Sequence, residues 1–399
     1  MGPNFLLKKG TKIFMIKLKK NRIERPLKLG FIGGSLSSTI GQTHYTASHL
    51  DGRWNLVSGF FSRNKLININ TAKNWNISPN RTYDSLDKFL SKECNKLDAI
   101  AVLTPTPNHY ETILKVIKKN IPIICEKPLV SSLEQAKSLQ KLVKKSGNFL
   151  TLTYNYTGYP MVRELRQRIA KGELGRIQQI HFEMPQAVFT QIGFRPQKWR
   201  LADEKIPTIC LDLGVHLHNL AHFLIKKEAK KVISNFFNNS KHKKLIDNVL
   251  MWLEYDNGIK GSFWMSKTAI GNRNGLKLRI FGDKGSAEWL QNYPEELILS
   301  YKNGVRQIID RGNKCLISNK KRYNRYKAGH PAGFIEAFAN LYYDIADSVI
   351  NFNNGIKKKN EYIFNLEHSL RGLELFSSAC KSNKSRTWQK IKYSIKESN

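Results

Sequence analysis

The stretch "LGFIGGSLSSTIGQTH", Leu29 to His44, decides how the chain begins to fold. Apolar residues run directly into Gly33 and Gly34, and the sequence then turns polar, as a short buried strand does where it enters a helix through a tight turn. Such a turn aims backbone N–H groups and the positive end of the helix at a phosphate. The position of the usual second close-approach glycine holds Ser35, and the next glycine is delayed to Gly41. Ser35, Ser37, Ser38 and Thr39 offer hydroxyl donors where a glycine would let a phosphate come nearer. Taken alone, the loop has two readings, a dinucleotide cradle or an ordinary strand–helix turn with two glycines.

The surroundings of this loop extend the pattern. Apolar runs "NLVSGFFS", "LDAIAVLTP" and "IPIICEKP" alternate with the helical segments "DSLDKFLSKE", "NHYETILKVIKKN" and "SLEQAKSLQKLVKKSG". This alternation predicts a doubly wound parallel sheet with crossover helices, a Rossmann dinucleotide-binding domain over 27–148. After "FLTLTYNYTGYP" the runs alternate apolar with polar, from "IQQIHFEMPQ" through "VRQIID", with turns such as Asp256-Asn257-Gly258 between them. An α+β domain is expected over 149–399: a mostly antiparallel open sheet with helices on one face, closed by C-terminal helices. Residues 1–26 read as a loose basic extension with too little apolar sequence for a signal-peptide core, and Met15 is a second candidate start.

The chain has 399 residues and a formal net charge of +35, from 66 basic and 31 acidic side chains. That balance raises nucleic acid as a partner, but no zinc-finger spacing, basic zipper or aromatic RNA-binding signature accompanies it. The plainer reading is a generally lysine-rich composition with solvated faces, and the functional remainder is attraction of anionic small ligands. Five cysteines (94, 125, 210, 315, 380) are scattered without a C-x-x-C pair, which points to a reducing compartment and a cytoplasmic protein. No apolar run approaches the ~18 residues of a membrane span.

Three further motifs carry chemistry. About 21 residues beyond Gly41, at the end of the second strand, stands "FFSRN". It lacks the carboxylate that binds both ribose hydroxyls, so Ser62 and Arg63 either accept the 2′-phosphate of NADP or form a solvated turn. In "ICEKPLV", Lys127 follows a buried strand at the edge where ligands bind, with Glu126 as a candidate ion-pair partner; a lysine in a surface turn is the plainer reading. In "CLDLGVHLHNLAHFL", Asp212 and His216 are four apart and share a face, an arrangement suited to a carboxylate that orients an imidazole base. The spacing of His216, His218 and His222 does not converge on one ion, so no metal site is expected.

Taken in order, the glycine loop, "VLTPTPNHYE", "CEKPLV" and "LDLGVHLHNLAHFL" resemble the Gfo/Idh/MocA family of oxidoreductases. The first loop ending in Ile40-Gly41 with His44, together with "TYNYTGYPMVRE", "EMPQ" and "AGHPAGFIEAFANLY", resembles its levoglucosan dehydrogenase-like branch, from which Ser35 departs. The resemblance implies a catalytic set of Lys127, Asp212 and His216, a cis Lys127–Pro128 bond, and substrate contacts at Tyr156, Gln186 and Trp199. It implies a nicotinamide bordered by Thr104 and Pro105 with His109 nearby. With the loop and strand-end readings above, the expected cofactor contacts also include Gly33, Gly34, Ser35, Ile40, Ser62, Arg63, Glu126 and Lys127. The expected activity is hydride transfer between NAD or NADP (Ser62-Arg63 leaning to NADP) and a ring hydroxyl or ketone of a sugar or cyclitol. An anionic sugar suits the charge, and a homodimer or homotetramer is expected from the open sheet face. The alternative is a non-catalytic dinucleotide-binding sensor or scaffold.

Overall fold

The structure is a computed structural model that describes residues 25–194, 197, 200 and 203–394. The first layer is a six-stranded sheet. It contains β1 (Leu27–Gly33), β2 (Trp54–Phe60), β3 (Ala99–Leu103), β4 (Ile123–Cys125), β5 (Leu150–Leu152) and β14 (Phe364–Asn365), in the order β14-β5-β4-β3-β1-β2. All pairs are parallel except β14 with β5. The sequence "AIAVL" of β3 is buried on both faces, which is why it reads as one continuous apolar run. Helices α1 (Thr39–His49), α2 (Lys65–Asn74), α3 (Leu86–Glu93), α4 (His109–Ile117) and α5 (Leu133–Ser146) cover the sheet. Ser38, Asn64, Ser85 and Ser132 cap α1, α2, α3 and α5 by accepting backbone N–H bonds, which fixes where each helix starts. The strand order reverses between β1 and β3, so a crevice opens at the carboxyl ends of these strands.

The second sheet has nine strands. They are β6 (Ile177–Pro185), β7 (Ala229–Phe237), β8 (Asn248–Tyr255), β9 (Lys260–Ser266), β10 (Lys277–Gly282), β11 (Gly285–Leu290), β12 (Leu297–Tyr301), β13 (Arg306–Ile309) and β15 (Gln389–Lys390), in the order β13-β12-β11-β10-β6-β9-β8-β7-β15. Only β6 and β9 run parallel, and every other pair is antiparallel. Helices α6 (Pro160–Ala170), α7 (Val215–Ile225) and α9 (Leu366–Ser385) contribute apolar residues to the core on one face. The other face leaves Leu250, Trp252, Phe281 and Ile308 exposed, with His181 packed edge-on between Trp252 and Phe281.

The layers do not follow a division at residue 148. β5 lies beyond that point and β14 comes from the far end of the chain, yet both belong to the first sheet. Helix α8 (Phe334–Asn353) buries Phe338, Leu341, Tyr342 and Ile345 against Leu29, Phe31, Trp54 and Leu56 of β1 and β2. The expected extension falls almost wholly outside the described residues. All five cysteines are unpaired. Among the described residues no helix is long and apolar enough to cross a membrane.

Candidate active site

A cleft of about 1330 Å³ lies where the crevice of the first sheet faces the second sheet. Its floor on one side is the opening glycine turn. Gly33 and Gly34 have φ of +78° and +67°, a conformation that side chains resist. A Cβ on Gly33 would lie 2.8 Å from the Thr104 backbone nitrogen. Gly41, in the first turn of α1, is held tighter: its Cβ would come within 2.2 Å of the Gly34 carbonyl oxygen. The delayed glycine therefore does the work of letting the helix pack directly on the turn. Ser35 is nearly buried, and its Oγ lies 2.9 Å from Ser37 Oγ, so the lengthened loop ties its own hydroxyls together.

At the end of β2, Ser62 Oγ accepts the Asn64 N–H at 3.1 Å, while Arg63 is exposed at the cleft wall. No carboxylate stands at this strand end. Thr104 and Pro105 line the cleft beyond β3, and the buried Thr104 Oγ1 has no partner among the described residues. The ring nitrogens of His109 lie 2.7 Å from the Thr104 carbonyl oxygen and 2.9 Å from that of Pro128. His109 thus clips together the two turns that border the cleft, and burial lowers its pKa. Ile40 also lines the cleft.

The Lys127–Pro128 bond is cis. Lys127 Nζ donates to the Asp212 carbonyl at 2.9 Å and to Asp212 Oδ1 at 3.3 Å. Asp212 sits in a π-helical turn, Cys210–Gly214, that leads into α7. Gly214 permits this path, since a Cβ there would meet the Phe376 ring at 2.6 Å. The widened turn replaces the i→i+4 register by i→i+5. No hydrogen bond joins Asp212 to His216, so the carboxylate does not fix the imidazole as expected; its oxygens meet Lys127 and Lys267 instead. Lys267 Nζ donates to its Oδ2 at 2.6 Å, and Arg200 approaches the same oxygen at 3.3 Å. Burial alone would raise Asp212, but Lys267, Lys127 and Arg200 hold it well below the carboxylate range.

His216 lines the cleft with its ring edge-on to Tyr156, centroids 4.6 Å apart. Neither ring nitrogen has a hydrogen-bond partner among the described residues, and Nδ1 is buried. Burial, with Lys127 and Lys267 nearby, pushes its pKa well below the histidine range, so the imidazole is neutral at pH 7. Tyr156 accepts from Asn274 Nδ2 at 3.1 Å, and burial raises its pKa to about 12. Gln186 links the set: its Oε1 accepts from Lys267 at 2.8 Å and its Nε2 donates to Asn274 Oδ1 at 2.9 Å. The cleft-lining Asn155 also has a buried Nδ2 without a partner.

The cleft thus brings together every named candidate in the described residues; Trp199 lies outside them. Glu126 departs from its expected ion pair with Lys127. It accepts from His44 Nε2 at 3.0 Å and from Thr153, while His44 Nδ1 meets the Tyr342 hydroxyl at 2.7 Å. Lys267, Arg200 and Asn274 were not singled out by sequence. A basic residue after a strand is unremarked in so lysine-rich a chain, and only the pairing of β9 with β6 sets Lys267 opposite Asp212 and Gln186. His218 and His222 face away from the cleft onto Glu228, at 2.8 and 3.0 Å, where His368 of α9 joins them. Both oxygens of Glu228 are already engaged there, since Arg371 also donates to Oε1 at 2.8 Å.

Two family profiles match the chain. Residues 27–154 match "Oxidoreductase family, NAD-binding Rossmann fold", and residues 162–288 match "GFO/IDH/MocA C-terminal domain". The chain is 26% identical to the oxidoreductase YfiI of Bacillus subtilis, over 93% of this chain and 98% of that one. An inositol dehydrogenase homologue from Azotobacter vinelandii, solved with NADH and myo-inositol, superposes with a TM-score of 0.82. It is 25% identical and covers 92% of this chain and 98% of its own. Levoglucosan dehydrogenase of Pseudarthrobacter phenanthrenivorans is also similar, 22% identical over 51% of this chain and 58% of that protein.

Proposed function

The chain belongs to the Gfo/Idh/MocA family of NAD(P)-dependent oxidoreductases, and from that premise we propose that it is a dehydrogenase of sugars or cyclitols, acting through Lys127, Asp212 and His216. The observation that carries the reading is the juxtaposition in one cleft of Lys127, paired to Asp212, and a neutral His216 with no hydrogen-bond partner. The glycine turn opens into the same cleft. The positive-φ pair Gly33–Gly34, the α1 terminus, Ile40 and the unpartnered Thr104 hydroxyl fit a dinucleotide, with Ser62 and Arg63 at the adenosine end and Pro105 and the His109-clipped turn at the nicotinamide end.

When bound, the nicotinamide supplies the hydride acceptor. His216 takes the proton of the ring hydroxyl, and its low pKa keeps it ready to do so at neutral pH. Lys127, anchored on Asp212, stabilises the developing alkoxide; Asp212 holds the lysine in place. Tyr156 and Gln186 hold the substrate ring, as does Trp199 on the family resemblance. Glu126, fixed by His44 and Thr153, buttresses the turn from which Lys127 projects. In reverse the same groups reduce a keto-sugar. Arg63, with no carboxylate beside it, favours NADP over NAD. We place the enzyme in the cytoplasm, and assign the open sheet face to a second copy of the chain.

The test crosses NAD and NADP with neutral sugars, cyclitols, acid sugars and sugar phosphates, following cofactor reduction. Turnover of at least one sugar or cyclitol, faster with NADP, is expected. Cofactor binding with no turnover across every series would overturn the catalytic reading in favour of a sensor or scaffold.

A further inference from the structure

Lys267 is the least expected part of the cleft. It follows β9, is 9% exposed, and spends two of its three ammonium N–H donors on Asp212 Oδ2 and Gln186 Oε1, at 2.6 and 2.8 Å. Lys127 spends two on the carbonyl and carboxylate of Asp212. One carboxylate therefore answers both ammonium groups at the substrate end of the cleft. The other acids lining the cleft do not redress the balance there. Glu126 is engaged by His44 and Thr153, and Glu111 and Glu204 are exposed.

Excess positive charge in a recessed site is costly unless an anion completes it. Burial pulls the Lys267 pKa down, a strain that a second anion relieves. The rest of the substrate pocket, Asn155, Tyr156, Gln186 and Asn274, is neutral and shaped for hydroxyl groups. Hydroxyls alone would leave the surplus charge unmatched.

Building on the dehydrogenase reading, we propose that the substrate carries its own anionic group, a carboxylate or a phosphate on the sugar, and that Lys267 is the residue that recognises it. The remaining donor of Lys267 pairs with the anion, while Lys127 serves the reacting hydroxyl. This division makes Lys267 a specificity residue.

The experiment uses full-length protein and matched series: D-glucose, D-glucuronate and D-glucose 6-phosphate, with the corresponding galactose set. Turnover is measured with NADP and NAD, and binding by calorimetric titration of the cofactor-loaded protein, which needs no turnover. The expected result is an anionic member preferred over its neutral parent by about tenfold or more in kcat/KM or in Kd, as one charge-assisted hydrogen bond provides. The acid and phosphate arms identify which anion. Lys267→Met is expected to bring that ratio near one, and Lys267→Arg to keep most of it. Neutral parents preferred or equal in both read-outs would overturn the inference while leaving the dehydrogenase reading intact. A Lys267→Met variant that slows neutral and anionic substrates alike, leaving their ratio unchanged, would also overturn it, since Lys267 would then act only through Asp212 and Gln186. Absence of turnover on every sugar would instead count against the dehydrogenase reading, with the titrations still deciding the anion.

Discussion

In the proposed reaction His216 is the base, and its surroundings set its working range. Burial and the nearby Lys127 hold its pKa well below the ordinary ~6.5 of histidine, so its neutral form persists into acid solution. The acid limb of kcat/KM for oxidation is therefore expected well below the ordinary histidine range, and a limb centred on an ordinary histidine would contradict the assignment. The same shift bears on stability. His216 and the buried His368 resist protonation when folded, whereas the unfolded chain takes up protons below about pH 6.5. Their contribution is complete above that value and is lost as pH falls, so urea midpoints are expected to decrease from pH 7.5 to 5.5. At this scale the sequence was partly legible. "CEKP" and "DLGVH" drew attention to Lys127, Asp212 and His216, which the fold brings to one cleft. It did not reveal that Asp212 turns away from His216, because a π-helical turn leaves no mark in a spacing of four. It did not mark Lys267, whose meaning comes entirely from its partners across the cleft.

The glycine turn shows what an element adds to its residues. Ser35 stands where a second close-approach glycine is usual, but the close contact of α1 with the turn belongs to Gly41. Gly41→Ala is expected to force the helix off the Gly34 carbonyl, cost about 1–3 kcal/mol of stability by overpacking, and weaken NADPH binding. Fluorescence titration and denaturant unfolding check both; an unchanged Kd and midpoint would show the contact to be slack. At the next strand end, Arg63→Ser is expected to lower the NADP-to-NAD ratio of kcat/KM about tenfold, as loss of a charge-assisted phosphate contact should. An unchanged ratio would return Arg63 to a solvated turn. The alternation of strand and helix was legible because each buried strand is a compact apolar run. The seating of α8 and β14 on the first sheet was not, because pairing between segments some 200–300 residues apart has no local signature.

The whole molecule combines a large positive charge with two sheets that meet at one cleft. Among the described residues, one face of the second sheet exposes a patch of Leu250, Trp252 and Phe281 that a second copy would bury. Light scattering is expected to give a dimer or tetramer for the native chain and a smaller species for Trp252→Lys; a monomer at the outset would contradict that use of the face. On the proposed function, the lobes jointly form a hydride-transfer site in which His216 moves the proton. The most direct test is a paired measurement on His216→Asn: kcat with the best substrate of the panel, and Kd for NADPH. A fall in kcat of about 100-fold or more with Kd unchanged is expected. A variant that turns over at the native rate would contradict it.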